Sequence, residues 1–303
     1  MTILSSGLAV TLTALVSLAL TPFDFLVAKN LGAIDVPIDD RRMHKRPVPR
    51  LGGLSMFFTS LLFSLLFCFD MAYALFFPWA GAILIVCVGV LDDMYSLHPL
   101  LKLTAQFGAA YVSTLGGTML HLSEPFFGIL FSLPITLLWM VTLINAHNFI
   151  DGLDGLCGGI SAVESAALGL LALHMGATSI GLAALILCGA CIGFLPYNMR
   201  GARIFMGDCG STFLGFALAW LSVALVSEPS ALPPVSLLLI FSVPLADITV
   251  AVARRLYHKK SPFAPDRSHI HHMLSDTSLG HFGASRLLCM LATLFAIIGY
   301  VIS

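Results

Sequence analysis

The stretch NAHNFIDGLDG, residues 145–155, places Asn145, Asn148, Asp151 and Asp154 three residues apart. Neighbours in such a row converge, whether the backbone is an α-helix, where the row drifts, or a 3₁₀ turn, where it forms one ridge. Gly152 and Gly155 disfavour a long regular helix there. Carboxylates and amides grouped in this way suit Mg²⁺, a hard cation that takes oxygen ligands. Capping a loop between helices would need one such residue, not four.

Four other segments carry unusual chemistry. In VLDDMYSLHPLLKL, 90–103, Asp92 and Asp93 end an apolar run. A helix C-terminus disfavours acids, and adjacent side chains on a helix diverge, so the two acids are expected to do different jobs. In YNMRGARIFMGDCGST, 197–212, Asp208 lies between glycines at the opening of the next run. That suits an N-cap and a backbone that a phosphate can approach. HKRPVPRLGG, 44–53, is basic, and its cations could receive phosphate. SPFAPDRSHIHHML, 261–274, holds Arg267, His269, His271 and His272. Its H-x-H-H spacing, with no cysteine nearby, does not fit the usual zinc patterns.

These segments must be positioned by membrane helices. The chain has 303 residues, 58% hydrophobic and only 10% charged, where a soluble domain carries about 25% charged residues. The expected architecture is all-α: one polytopic bundle over 1–303 with spans near 4–26, 52–69, 73–91, 101–117, 127–144, 156–174, 178–196, 211–227, 234–252 and 286–303. The connecting segments 27–51, 92–100, 145–155, 197–210 and 253–285 then share one side, which receives all fifteen Lys and Arg. The positive-inside rule makes that side cytoplasmic and puts both termini outside. No basic residue precedes the first apolar run, which therefore reads as a retained helix rather than a secretory signal. The seven cysteines read as packing thiols, including the Cys188/Cys191 pair. Glu164 and Asp247 fall inside spans, where a carboxylate must face the bundle interior.

An acidic cluster and cationic loops on one membrane face suit phosphoryl transfer to an anionic substrate at the interface. A transporter, the rival reading, would place its site near the midplane on broken helices. The five motifs, in this order, resemble the polyprenyl-phosphate N-acetylhexosamine-1-phosphate transferase family over about residues 29–286. PDRSHIHH is similar to the branch of that family that transfers GlcNAc-1-phosphate.

The resemblance implies a phosphotransferase reaction in the bacterial inner membrane. UDP-GlcNAc and undecaprenyl phosphate give undecaprenyl-diphospho-GlcNAc and UMP, initiating cell-surface glycans of the O-antigen, common-antigen or teichoic-acid type. Another UDP-N-acetylhexosamine donor is the alternative. It implies Mg²⁺, or Mn²⁺ in its place, held by Asp208 with Asn148. Asp92 and Asp93 match the family's acidic pair and join Asp151 and Lys102 as the catalytic set. Lys45, Asn145, Asp154, Asn198 and Phe205 match the nucleoside region, with Phe205 stacking on uracil. Arg267, His269, His271 and His272 match sugar and diphosphate contacts. No nucleic-acid partner is expected; a homodimer is allowed.

Overall fold

Apolar runs of this length have one way to pair their backbone groups in lipid, which is as helix within each run. The computed structural model describes residues 3–37, 46–68, 72–120, 125–199, 201–228, 232–259 and 269–303. Lys45 and Arg267 lie outside the described residues. The helices are α1 (Ile3–Leu31), α2 (Gly53–Phe67), α3 (Ala72–Tyr95), α4 (Pro99–Thr114), α5 (Pro125–Ile150) and α6 (Leu156–His174). They continue with α7 (Thr178–Asn198), α8 (Gly207–Val226), α9 (Pro234–Ile240), α10 (Ser242–Tyr257), α11 (Ile270–Ser275) and α12 (Gly280–Val301).

Every expected span coincides with a helical unit. Seven described helices are long and apolar enough to cross a membrane, and α9 with α10, bent 81° at their junction, make an eighth. The shorter α2 and α4 coincide with the two remaining expected spans but fall short of that length, so the described helices carry seven or eight crossings. The chain is thus an all-α polytopic bundle. α8 is its axis: 89% of its apolar window is buried, against 22% for α1. Helices α2, α3, α5, α6 and α7 pack around α8, and α1 lies outside on α7 and α2.

Two devices fix the start of α2, one against α8 and one against α1. Gly53 and Gly210 meet backbone to backbone, and a Cβ on either would overlap the other's main chain. Asp24, buried in α1, accepts from Ser55 N at 3.0 Å and so serves the first turn of α2, which has no side-chain cap of its own. Before α2, strands β1 (Ile34–Asp35) and β2 (Val48–Pro49) pair antiparallel, with Ile34 opposite Pro49. Arg50 bonds Asp35 at 3.3 Å beside this pair. The chain then zips to the segment before α8. Phe205 N donates to Pro49 O (2.8 Å), Gly52 N to Phe205 O (3.0 Å) and Gly53 N to Met206 O (3.0 Å).

The helices also run further than the sequence pattern suggested. α3 continues through Asp92 and Asp93 to Tyr95, and α5 continues through Asn145 and Asn148 to Ile150. Only 151–155 is turn. The two acids and the two amides therefore hang from helix ends at fixed angles.

Candidate functional site

Asp93 settles the geometry. It ends α3 buried, and its carboxylate reaches the start of α8. Oδ1 accepts from Asp208 N at 3.0 Å and Oδ2 from Cys209 N at 3.1 Å. Those N–H groups are orphans of the first helical turn and form the positive end of the helix dipole. The expected N-cap at Asp208 is thus corrected. Asp208 is the second residue of α8, and the cap comes from another helix. Gly207 permits it: its φ is +73°, and a Cβ would press on Asp93 Oδ2.

Capping leaves the Asp208 side chain pointing elsewhere. It pairs with Lys102 of α4, whose Nζ also donates to Asp92 Oδ2 at 3.0 Å. Asp92 Oδ1 accepts from Leu97 N at 2.8 Å, which fixes the α3–α4 link. One ammonium thus bridges the first acid of the DD pair to the acid of FMGD. The adjacent acids Asp92 and Asp93 do have different partners, as their divergence on a helix requires.

The amide row behaves as a set of struts. Asn148 Nδ2 donates to Ser211 Oγ at 3.0 Å, tying α5 to α8. Asn145 pairs reciprocally with Gln106 of α4, donating at 2.7 Å and accepting at 3.4 Å. Asp154 Oδ2 accepts from Gly201 N (2.8 Å) and Ala202 N (3.0 Å). Asn198 Oδ1 accepts from Gly155 N, and its Nδ2 donates to Ile204 O, each at 3.0 Å. Asp154, Asn198 and Phe205, the described members of the expected nucleoside set besides Asn145, therefore gather around the 201–206 segment. Asp154 and Asn198 hold that segment's backbone.

Asp151 differs from its neighbours. It is part-buried and accepts no hydrogen bond from a described residue. Burial, then the nearby charges of Asp208 and Asp93, push its carboxyl well above the usual carboxylate range, with Arg50 partly opposing them. Carboxylates that raise one another in this way mark a surplus of negative charge.

The histidine segment arrives from the other side. His269 Nδ1 bonds Asp247 Oδ2 of α10 at 2.6 Å. His271 lies buried against Gly152, where a Cβ would meet its ring, and His272 is part-exposed beside it. His147, the histidine inside NAHN, turns away from this site. Its Nδ1 bonds Leu143 O at 2.9 Å and its Nε2 bonds Glu164 Oε2 at 2.7 Å, all within the core. That answers Glu164: it is paired inside the bundle, and one shared proton links acid and imidazole.

Sequence reasoning missed Gln106, Ser211, Asp24 and Arg255. Gln106 stands one helical turn past Lys102 and Ser211 three residues past Asp208, so periodicity alone could have flagged both. Asp24 falls inside the first span, so the rule applied to Glu164 and Asp247 would have flagged it, though not its partner 31 residues away.

Fold and site together describe a membrane bundle with an acidic, lysine-bridged centre at the ends of its helices. A family described as glycosyl transferase family 4 matches residues 75–226. A probable undecaprenyl-phosphate N-acetylglucosaminyl 1-phosphate transferase of Bacillus subtilis (strain 168) is 36% identical over 296 residues, covering 94% of this chain and 81% of that protein. The undecaprenyl-phosphate alpha-N-acetylglucosaminyl 1-phosphate transferase of Escherichia coli (strain K12) is 32% identical over 90% of this chain and 77% of its own. A decaprenyl-phosphate N-acetylglucosaminephosphotransferase of Mycobacterium tuberculosis (strain ATCC 25618 / H37Rv) is 33% identical over 84% and 72%. The chain belongs to glycosyl transferase family 4.

The two acids of the pair should fail differently when altered. Asp93→Asn leaves one acceptor for two N–H donors and turns an NH₂ toward the other. It should cost about 1–2 kcal/mol of stability, as lost caps do, together with turnover. Asp92→Asn should lose turnover with thermal stability in detergent nearly unchanged. Equal stability losses in the two variants would contradict the cap assignment.

Proposed function

We propose that this protein transfers GlcNAc-1-phosphate from UDP-GlcNAc to undecaprenyl phosphate, releasing UMP and leaving undecaprenyl-diphospho-GlcNAc in the membrane. The observation that carries this reading is the Asp92–Lys102–Asp208 bridge at the capped start of α8. It belongs to a chain whose relatives, named for this reaction, align along most of its length.

The chemistry follows from the charges. An oxygen of the lipid phosphate attacks the β-phosphorus of the nucleotide sugar. The bond from that phosphorus to the bridging oxygen breaks, and the oxygen leaves with UMP. Both reactants are anions, so the site must neutralise charge and align the line of attack. Lys102 brings a cation between Asp92 and Asp208. Asp92, whose second oxygen is pinned by Leu97 N, positions the lipid phosphate or takes its remaining proton. A phosphate's second pKa near 6 makes a stronger base unnecessary. Asp151 and Asp93 complete the catalytic set, the first as a carboxylate facing the reacting centre and the second through the α8 cap.

The donor set fits Mg²⁺ or Mn²⁺: oxygen-only side chains, surplus negative charge, and Asp151 without a hydrogen-bond partner among the described residues. Asp208 and Asn148 would hold the ion. Rotating the Asn148 amide would exchange its oxygen for its nitrogen, and the Ser211 hydroxyl, which donates to Gly207 O at 3.1 Å, would turn to donate to that oxygen. Once bound, the ion neutralises the diphosphate and polarises the scissile bond. Asn145, Asp154, Asn198 and Phe205 are assigned to the nucleoside end, with Phe205 stacking on uracil, and the family resemblance adds Lys45, which lies outside the described residues. The histidine segment is assigned to the diphosphate-sugar end, where its part-exposed His272 is the contact, and the family resemblance adds Arg267, which lies outside the described residues.

The ten helical units support ten crossings of the bacterial inner membrane. The basic face with the site then lies in the cytoplasm and both termini outside. A C-terminal fusion reporting periplasmic exposure should be active, and cytoplasmic activity instead would remove the tenth crossing.

Purified protein with undecaprenyl phosphate should release UMP from UDP-GlcNAc faster than from UDP-GalNAc or UDP-glucose. Excess EDTA should stop it, and Asp208→Asn should lose most turnover while folding normally. Uptake of substrate into liposomes without UMP release would favour a transporter. A preference for another UDP-N-acetylhexosamine would change the donor, and full turnover in EDTA would remove the metal.

Phe205→Ala should raise KM for the UDP-sugar by roughly 5- to 150-fold, the loss of about 1–3 kcal/mol of base stacking, with kcat little changed. Lowered thermal stability at unchanged KM would instead make Phe205 a packing residue.

A further inference from the structure

The three histidines of the HIHH segment do not share an environment. His269 is buried with both ring nitrogens engaged: Nδ1 faces Asp247 Oδ2 at 2.6 Å and Nε2 faces Arg255 Nη2 at 3.3 Å. A guanidinium only donates, so Nε2 must accept and Nδ1–H must donate to the carboxylate. Asp247 and Arg255 stand eight residues apart on α10 and grip one imidazole between them. The other Asp247 oxygen accepts from Ile270 N at 2.7 Å, which fixes the backbone where α11 begins.

The unit also reaches the site. Arg255 lies over the Phe149 ring at 5.7 Å, and the Phe149 and His269 rings are 5.4 Å apart. Phe149 follows Asn148 directly. His271, its ring 5.5 Å from that of His269, is pressed against Gly152 in the turn that carries Asp151 and Asp154. His272 alone of the three is part-exposed.

We propose that Asp247, His269 and Arg255 form a positioning unit that locks the histidine segment onto the 151–155 turn, so that His269 acts on the reaction without touching the substrate. Asp247 and Arg255 thereby become positioning residues, and His272 is the histidine that meets the UDP-sugar. The inference rests on the transferase reading above. A cation gripped by Asp247, His269 and His271 is the competing use of the same atoms, since their donor atoms lie within 4.8 Å of one another. Both Asp247 oxygens already accept hydrogen bonds, however, and the Arg255 guanidinium beside His269 repels a cation.

Two isosteric replacements separate the readings. Asparagine places its Nδ2 where Nδ1 of histidine stands and keeps the donor to Asp247. Glutamine instead places its amide near Nε2. With UDP-GlcNAc and undecaprenyl phosphate, His269→Asn should keep kcat within about 5-fold of wild type. His269→Gln should lose about 10- to 100-fold, the value of a hydrogen bond to a charged partner. KM for UDP-GlcNAc should move less than about 3-fold in both, because no ground-state contact is removed. Asp247→Asn should match His269→Gln, and the double variant should be no worse than either within about 3-fold.

The opposite order, with Gln active and Asn not, would overturn the proposal, as would a raised KM at unchanged kcat. So would independent losses that multiply in the double variant, or one equivalent of zinc in the purified protein that leaves with the Asp247→Asn change. Active wild-type protein giving the reverse order sinks this inference alone. Wild-type protein that releases no UMP sinks the transferase reading and this inference with it.

Discussion

The cap that Asp93 places on α8 is the contact on which the site depends. A helix that starts inside a bundle leaves N–H groups unpaired, and each one buried without a partner costs about 1–3 kcal/mol. Here two of them are satisfied by a carboxylate from α3. The consequence is geometric as much as energetic. The bond fixes the start of α8 against the end of α3, and Gly53 against Gly210 fixes it against α2. With α8 the most enclosed helix, every other segment of the site is measured from this point. Asp208 is turned to Lys102, Ser211 is presented to Asn148, and Phe205 is delivered by backbone pairing with 49–53.

Charge sets the second constraint. Asp92, Asp93, Asp151 and Asp208 gather at one membrane face, where their mutual repulsion opposes folding. The cap offsets part of it, since helix N–H groups stabilise an anion. Lys102 offsets more by serving two carboxylates at once. Asp151 has neither kind of partner among the described residues; burial first, and then the charges of Asp208 and Asp93, push its carboxyl up, with Arg50 partly opposing them.

The bundle was legible because its signal is local. Apolar runs near 20 residues give the helices directly, and seven or eight of them are long and apolar enough to cross a membrane. The acids of the site were legible from spacing, as was the rule that Asp92 and Asp93 diverge. What spacing could not give is which polar residue serves another. Asp154 and Asn198 match the nucleoside region by resemblance, and spacing gave no sign that their oxygens also hold the backbone of 201–202 and of Gly155. Asp208 read as an N-cap because its own sequence context is that of one. The actual cap is 115 residues earlier, and no local pattern encodes a partner at that distance. The same holds for His147, whose partner Glu164 sits 17 residues on, across a helix connection.

These pairings also say why so apolar a chain concentrates polar residues at 145–155. A polar side chain in a bundle is stable only if its atoms are matched, because water is not there to take them. Asn145 is matched by Gln106, Asn148 by Ser211, His147 by Glu164, and Asp154 by the 201–202 backbone. Each match crosses from α5 or its turn to a different element, so the stretch works as a hub joining α4, α8, α6 and the segment before α8. For His147 and Glu164, both fully buried, removing one partner strands the other in the interior, which costs more than the bond itself was worth; Asn145, Asn148 and Asp154 are part-buried and lose less. The hub therefore resists drift, and the groups it leaves unmatched stay in fixed places. Rigidity and reactivity come from one arrangement: the matched residues hold still the few that are left to meet the substrate.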